Sequence, residues 1–214
     1  MSNEKPAGIT TGLNLISCTE ELSLQDYDDL TNCVRISTHY ADKVSSRITN
    51  STAWLDEYMS VMKFFGWMAD QGSIFTRTQH GVHSSVAQFL VNDVKAIPLA
   101  AQRNALIGTL DALKTDKPAL VSLDKETLHG ERFQVIPARY NAEGKLEVSV
   151  LHLELKASTN ETGFLFFNWQ ANTSRIVRQR ARLTLDKKVL DSNRSRLNEK
   201  MLKIKMKRFD LWKR

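Results

Sequence analysis

From residue 22 onward the apolar positions recur with the period of a helix. Tyr27, Leu30, Val34, Ser37, Ala41, Val44 and Ile48 follow one another at steps of three and four, which is one amphipathic stripe. Its start carries a full set of signals. Ser23 is the cap, Asp26 lies three residues on as its capping-box partner, and Leu22 with Tyr27 supplies the flanking apolar pair. Asn50-Ser51-Thr52 breaks the stripe and offers a cap to a second helix. In that segment Trp54, Leu55, Tyr58, Met59, Val61, Met62, Phe64, Phe65, Trp67 and Met68 leave little of the circumference polar. Such a helix must be covered on most sides, either as a central core helix or as one that leaves the core for lipid or a partner groove.

Gly72 to Ser84 reads as a polar loop between helices, long enough to carry a site. Val86, Phe89, Leu90, Val94 and Ile97 begin another helical stripe, which Pro98 kinks or restarts. Leu99, Leu106, Ile107, Leu110 and Leu113 continue it until Thr115-Asp116-Lys117-Pro118 stops it. Residues 1 to 21 form a mixed polar leader, docked at most near Leu13 to Ile16.

Beyond Pro118 the period changes to two. Ala119 to Leu123 fits a short strand, and Phe133 to Tyr140 a second, with Pro137 implying an edge or a bulge. Asn141 to Gly144 turns the chain into a third strand, Leu146 to Leu155. There the apolar phase switches at Val150–Leu151, so either a bulge restores one inner face or both faces are covered. Gly163 to Trp169 reads as an interior strand. From Arg175 to Leu185, Val177, Ala181, Leu183 and Leu185 share one phase, and Arg178, Arg180 and Arg182 the other. The segment after Lys187 has a helical face of Leu190, Leu197, Met201 and Ile204, with Asp191 or Ser192 near its start. Strict alternation over 202–207 keeps a final strand open. The expected architecture is α+β. A leader (1–21) precedes a single domain (22–214), whose helical half (22–117) packs on an antiparallel sheet of about four strands, with a basic C-terminal helix or strand (118–214).

Charge changes this picture. Arg175 to Arg214 holds fifteen Lys and Arg against four acids, a local net of +11, while the rest of the 214-residue chain carries fifteen bases and twenty acids. Segregation of this kind prepares one surface for something anionic, or pairs the basic end with the acidic remainder. The expected anionic-surface residues are Arg175, Arg178, Arg180, Arg182, Arg194, Arg196, Lys200, Lys203, Lys205, Lys207 and Arg208.

Catalytic signatures are missing from the sequence. His80-Gly81-Val82-His83 is a close histidine pair, but no third ligand follows, so His80 and His83 are weak metal candidates and no cofactor is expected. No nucleophile elbow or phosphate-binding glycine loop occurs among the nine glycines. Cys18 and Cys33 have neither redox nor zinc spacing. The N-terminus lacks an apolar signal region, which implies synthesis in the cytoplasm and, for any export, a non-classical route.

Phosphates occur on lipid headgroups and on nucleic acid, and charge alone does not choose between them. Phe209 and Trp212 interleave with the terminal bases as interfacial anchors do. With Trp54, Tyr58, Phe64, Phe65 and Trp67 they are the candidate membrane-inserting residues. The expectation is therefore a non-catalytic protein docking on an anionic lipid membrane, in its sharper form a toxin-like effector. The alternatives are a nucleic-acid-binding protein and an enzyme with a site in the 75–84 loop. Oligomeric state leaves no mark on the sequence.

Overall fold

The computed structural model describes residues 8–19, 22–69, 75–80, 84–94, 100–157, 163–168 and 174–211. Among the described residues, six helices and seven strands of one mixed sheet make an α+β fold. The strand count exceeds the expected four, and the sheet is mixed because one pair is parallel. The chain falls into two compact units, residues 1–22 with 70–182 and residues 23–69 with 183–214.

The first unit is built on strands β1 (Gly8–Thr11), β2 (Asn14–Cys18), β4 (Phe75–His80), β5 (Phe133–Tyr140), β6 (Leu146–Ala157) and the larger part of β7 (Ser174–Leu185). Strand β3 (Trp67–Ala69) belongs to the other unit. The order is β1-β2-β5-β6-β7, and β4 also pairs with β7. Residues 8–18, expected within the polar leader, thus form a hairpin whose second strand lies parallel to β5. Leu13, Leu15 and Ile16 are all buried. Polar composition hid these strands, because Asn14 and Ser17 are buried side by side with the apolar residues.

Three further expectations are corrected here. Phe75–His80 is a strand on β7 rather than loop. Ala119–Leu123 lies inside helix α5 (Lys117–Glu126), because the Asp116 carboxylate accepts the Ala119 N–H at 3.0 Å and Pro118 fits the first turn. The described part of the Gly163–Trp169 stretch, residues 163–168, is turn and bend, although Phe164 and Leu165 are fully buried. Trp169 lies outside the described residues, as does Pro98.

Strands β5 and β6 keep one register on both sides of Pro137, with Val135 opposite Leu151 and Ala138 opposite Val148. Pro137 therefore sits within an interior strand, and no bulge intervenes. Both phases of β6 are buried, Val148 and Val150 as well as Leu151 and Leu153, which was the other possibility left by the phase switch. His152 is buried too, at 3% exposure, with Nδ1 3.4 Å from Gln134 Nε2.

Helices α3 (Val86–Val94), α4 (Ala100–Thr115) and α5 close a core with this sheet. Val86, Leu90, Leu106, Leu110 and Leu123 meet Phe133, Val135, Leu151, Leu153 and Ile176 there. Each such side chain contributes about 1.5–3 kcal/mol on burial. The turn after α5 is tightly determined. Leu128 and His129 take left-handed backbone, and a Cβ on Gly130 would lie 2.4 Å from the Phe164 ring. The Asp124 carboxylate accepts the Gly163 N–H at 3.1 Å and lies 2.8 Å from His129 Nδ1, tying the 163–168 turn down.

The second unit holds α1 (Leu24–Val44), α2 (Ser51–Phe64), β3, the Leu183–Leu185 end of β7 and α6 (Lys187–Leu211). Helix α1 starts as its sequence requires. Ser23 Oγ accepts the Asp26 N–H at 3.1 Å and donates to Asp26 Oδ2 at 2.8 Å. Its buried stripe stops at Ala41, and Val44 and Ile48 are exposed. Asn50 Oδ1 caps α2 through the Ala53 N–H. Trp67–Ala69 then pairs antiparallel with Leu183–Leu185.

Candidate anionic-surface site

Helix α6 carries the basic end of the chain. Asp186, not Asp191 or Ser192, caps it by accepting the Lys188 and Val189 N–H groups. The helix continues through 202–207, so the alternating pattern there is not a strand. Leu190, Leu197 and Met201 form its buried seam at helical spacing.

Part of the basic charge is spent inside this unit. Asp26 and Asp29, on the first turns of α1, are 5% and 2% exposed. Helix-start acids suit the dipole, but at this burial they require cations. Lys187 Nζ meets Asp26 Oδ1 at 2.9 Å. Arg194 donates to both Asp29 oxygens, at 2.7 and 3.0 Å, and to Asp191 Oδ1 at 2.7 Å. Those bonds raise the Arg194 pKa above its already high ordinary value. Arg194 is thus committed internally.

Three other α6 bases lie along one flank. Arg196, Lys200 and Lys203 succeed each other at steps of four and three. The Arg196 guanidinium stands 5.9 Å from the centroid of the Phe64 ring, which is 43% exposed. Lys200 Nζ donates to the Tyr40 hydroxyl at 2.8 Å and lies 4.1 Å from its ring centroid. Lys43 of α1 approaches the same ring at 5.2 Å. The Lys200 hydrogen bond, opposed by partial burial and reinforced by the charges of Lys200, Lys43 and Lys203, takes the Tyr40 phenol below its ordinary range. Lys203 also bonds Glu199 at 2.6 Å.

Elsewhere the expected residues are dispersed. Arg175, Arg178, Arg180 and Arg182 belong to the first unit and are half-buried rather than fully open to solvent. Ile176, in the same strand phase, is fully buried in the core beneath α3 to α5. Arg182 Nε lies 3.9 Å from Glu147 Oε1, which accepts from Arg139 Nη2 at 2.7 Å. Burial first, and then the neighbouring Arg182 charge against Glu147, lowers the Arg180 pKa. Side chains of Lys205, Lys207, Arg208 and Phe209, and the whole of Trp212, lie outside the described residues.

Of the candidate inserting residues, Trp54, Tyr58, Phe65 and Trp67 are buried, and Phe64 is exposed. Trp54 stacks on Tyr58 with centroids 5.5 Å apart and donates its indole N–H to Asp42 at 2.9 Å. No described helix is long and apolar enough to cross a membrane. His80 is exposed at the end of β4, opposite Arg175, and His83 lies outside the described residues. Among the described residues no group of three potential metal ligands occurs.

No protein-family model matches the chain, and no curated protein does. A solved structure titled delta-endotoxin is similar at 10% identity with a TM-score of 0.46, over 86% of this chain and 84% of that one. A likeness of that degree assigns neither family nor function. The site therefore rests on its own geometry. Tyr40 and Lys43 were missed in the sequence because they lie on a helix read only for its apolar stripe. Their signal was positional, since the three-residue step from Tyr40 to Lys43 puts both on one flank of α1.

Proposed function

We propose that this chain is a non-catalytic binding protein that docks on anionic membranes through neighbouring faces of α1 and α6. The observation that carries the reading is the grouping of Arg196, Lys200, Lys203 and Lys43 around two accessible rings, Tyr40 and Phe64. Exposed Val44 and Val189 add apolar surface on the same helices. Lysines and arginines near a headgroup layer contribute about 1 kcal/mol each, and aromatic rings among them suit the interface. Glu199 offsets part of the Lys203 charge, so the patch favours reversible docking over permanent anchorage.

Flotation of the full chain with phosphatidylserine vesicles and with neutral phosphatidylcholine vesicles tests this. We expect recovery on the anionic vesicles alone, falling as salt is added. Replacing Lys200 and Lys203 by Gln lowers affinity by roughly tenfold or more, at about 1 kcal/mol per charge. Equal recovery on neutral vesicles sinks the reading. Preference for duplex DNA or RNA, with a steep salt dependence, would replace it by nucleic-acid binding. The sharper form, a membrane-active effector, requires the buried Trp54, Tyr58, Phe65 and Trp67 to leave their core. Dye release from anionic vesicles measures that step, and docking without release rejects it.

A further inference from the structure

We propose that Arg139, Arg180 and Arg182 form a discrete phosphate site on the sheet of the first unit, with the Glu147 carboxylate as the internal counter-ion against which a ligand competes. Three adjacent strands supply the groups. Arg139 on β5 is the Cα partner of Glu147 on β6, and Arg180 and Arg182 project from the same face of β7. Glu147 is 8% exposed and bonds directly to Arg139, with Arg182 at the outer limit of an ion pair. One carboxylate therefore serves Arg139 directly and Arg182 at the limit of an ion pair, with Arg180 next to Arg182 on the same strand face.

The hydrogen-bonding account is also incomplete. Arg139 Nε–H is buried and makes no hydrogen bond, and the half-buried Arg180 guanidinium lies within the field of the Arg182 charge. Half-buried guanidinium groups beside one another repel and lose hydration, and a shared anion relieves both costs. A doubly charged phosphate matches the residual charge of two, where chloride or a single carboxylate does not. Its tetrahedral oxygens accept from guanidinium forks in pairs. The Arg182 side chain is 40% exposed, which gives the ligand its approach. The chemistry recognised is a phosphomonoester, on a lipid headgroup or on a soluble molecule. This site uses other elements than the α1–α6 face and does not rest on membrane docking.

The test is calorimetric titration of the full chain with inorganic phosphate, against chloride at matched ionic strength. Saturable binding of phosphate alone is expected. Glu147→Gln removes the competing carboxylate and binds roughly tenfold tighter, the scale of one charge pair near a protein surface. Arg180→Gln with Arg182→Gln binds about tenfold weaker or worse, and Arg182→Lys, which keeps the charge and loses the fork, is also weakened. Equal heats for phosphate and chloride overturn the proposal, and so does a folded Glu147→Gln protein that binds no tighter. If Glu147→Gln does not fold, the wild-type comparison and Arg182→Lys decide. Vesicles bearing phosphatidic acid or phosphatidylserine at equal charge separate the sources. Flotation that favours phosphatidic acid and is competed by inorganic phosphate marks a headgroup, and phosphate binding without that preference marks a soluble ligand. Since Lys200→Gln with Lys203→Gln changes the other surface, membrane docking and phosphate binding fail separately.

Discussion

Asp29 shows how the environment of one residue decides the use of a distant charge. At 2% exposure its carboxylate has left water, and Gln25 Nε2 at 3.0 Å supplies only a neutral donor. The Arg194 fork provides the compensation. Removing either partner breaks the same pair, yet the costs differ, because the group left behind differs. Arg194→Met strands a buried carboxylate and is expected to cost about 3 kcal/mol. Asp29→Asn leaves an arginine whose side chain is 31% exposed and still bonded to Asp191, so it costs about 1–2 kcal/mol. Urea midpoints measured at neutral pH compare the two. An Asp29→Asn penalty as large as that of Arg194→Met would show that the carboxylate is not the stranded group.

Helix α5 shows the same logic at the level of an element. Ala119-Leu120-Val121-Ser122-Leu123 is a short, mostly apolar run with a β-branched residue, and over five residues periods of two and 3.6 are hard to tell apart. The decision lies in the flanks, where Asp116 caps and Pro118 starts the first turn. Asp116→Ala should therefore cost about 1 kcal/mol by thermal or urea unfolding, with the fold unchanged. A cost near zero would mean that packing of Leu123 holds the helix without its cap. Helices with long stripes and clear caps, such as α1 behind Ser23 and α2 behind Asn50, were legible in the sequence. So were β5, β6 and β7, whose long alternating runs overlap the observed strands. Strands β1, β2 and β4 were not legible, because in GITT, NLISC and FTRTQH polar residues occupy strand positions without marking a solvent face. The 163–168 turn misled in the opposite sense, since two buried apolar side chains, Phe164 and Leu165, look the same in a turn as in a strand. The candidate site was legible as charge on α6 and illegible as geometry. Local charge marked Arg194, Arg196, Lys200 and Lys203 alike, but only packing shows that Arg194 is consumed by Asp29 and that Tyr40 collects the lysines.

At the scale of the molecule, neither unit is a contiguous stretch of chain. Residues 23–69 interrupt the first unit and residues 70–182 interrupt the second. Closing either unit thus means joining segments far apart in sequence, a cost in loop entropy that is recovered only when the intervening chain is itself ordered. β7 adds a direct link, because one strand supplies Ser174 to Arg182 to the first unit and Leu183 to Leu185 to the second. These two features predict a single unfolding transition. The two cysteines report on it separately, Cys18 in the first unit and Cys33 in the second. Burial pushes both thiols up to about 12, which at mildly alkaline pH leaves roughly a thousandfold fewer thiolates than an ordinary cysteine has. Both should therefore resist alkylation in the native protein and become reactive on unfolding. Pulsed alkylation across a urea series, read by mass spectrometry on separate peptides, gives each thiol its own midpoint. Coincident midpoints are the expected outcome. A Cys33 midpoint well below that of Cys18 would mean that the unit bearing α6 opens alone, and that its docking face can reorganise while the sheet stays folded.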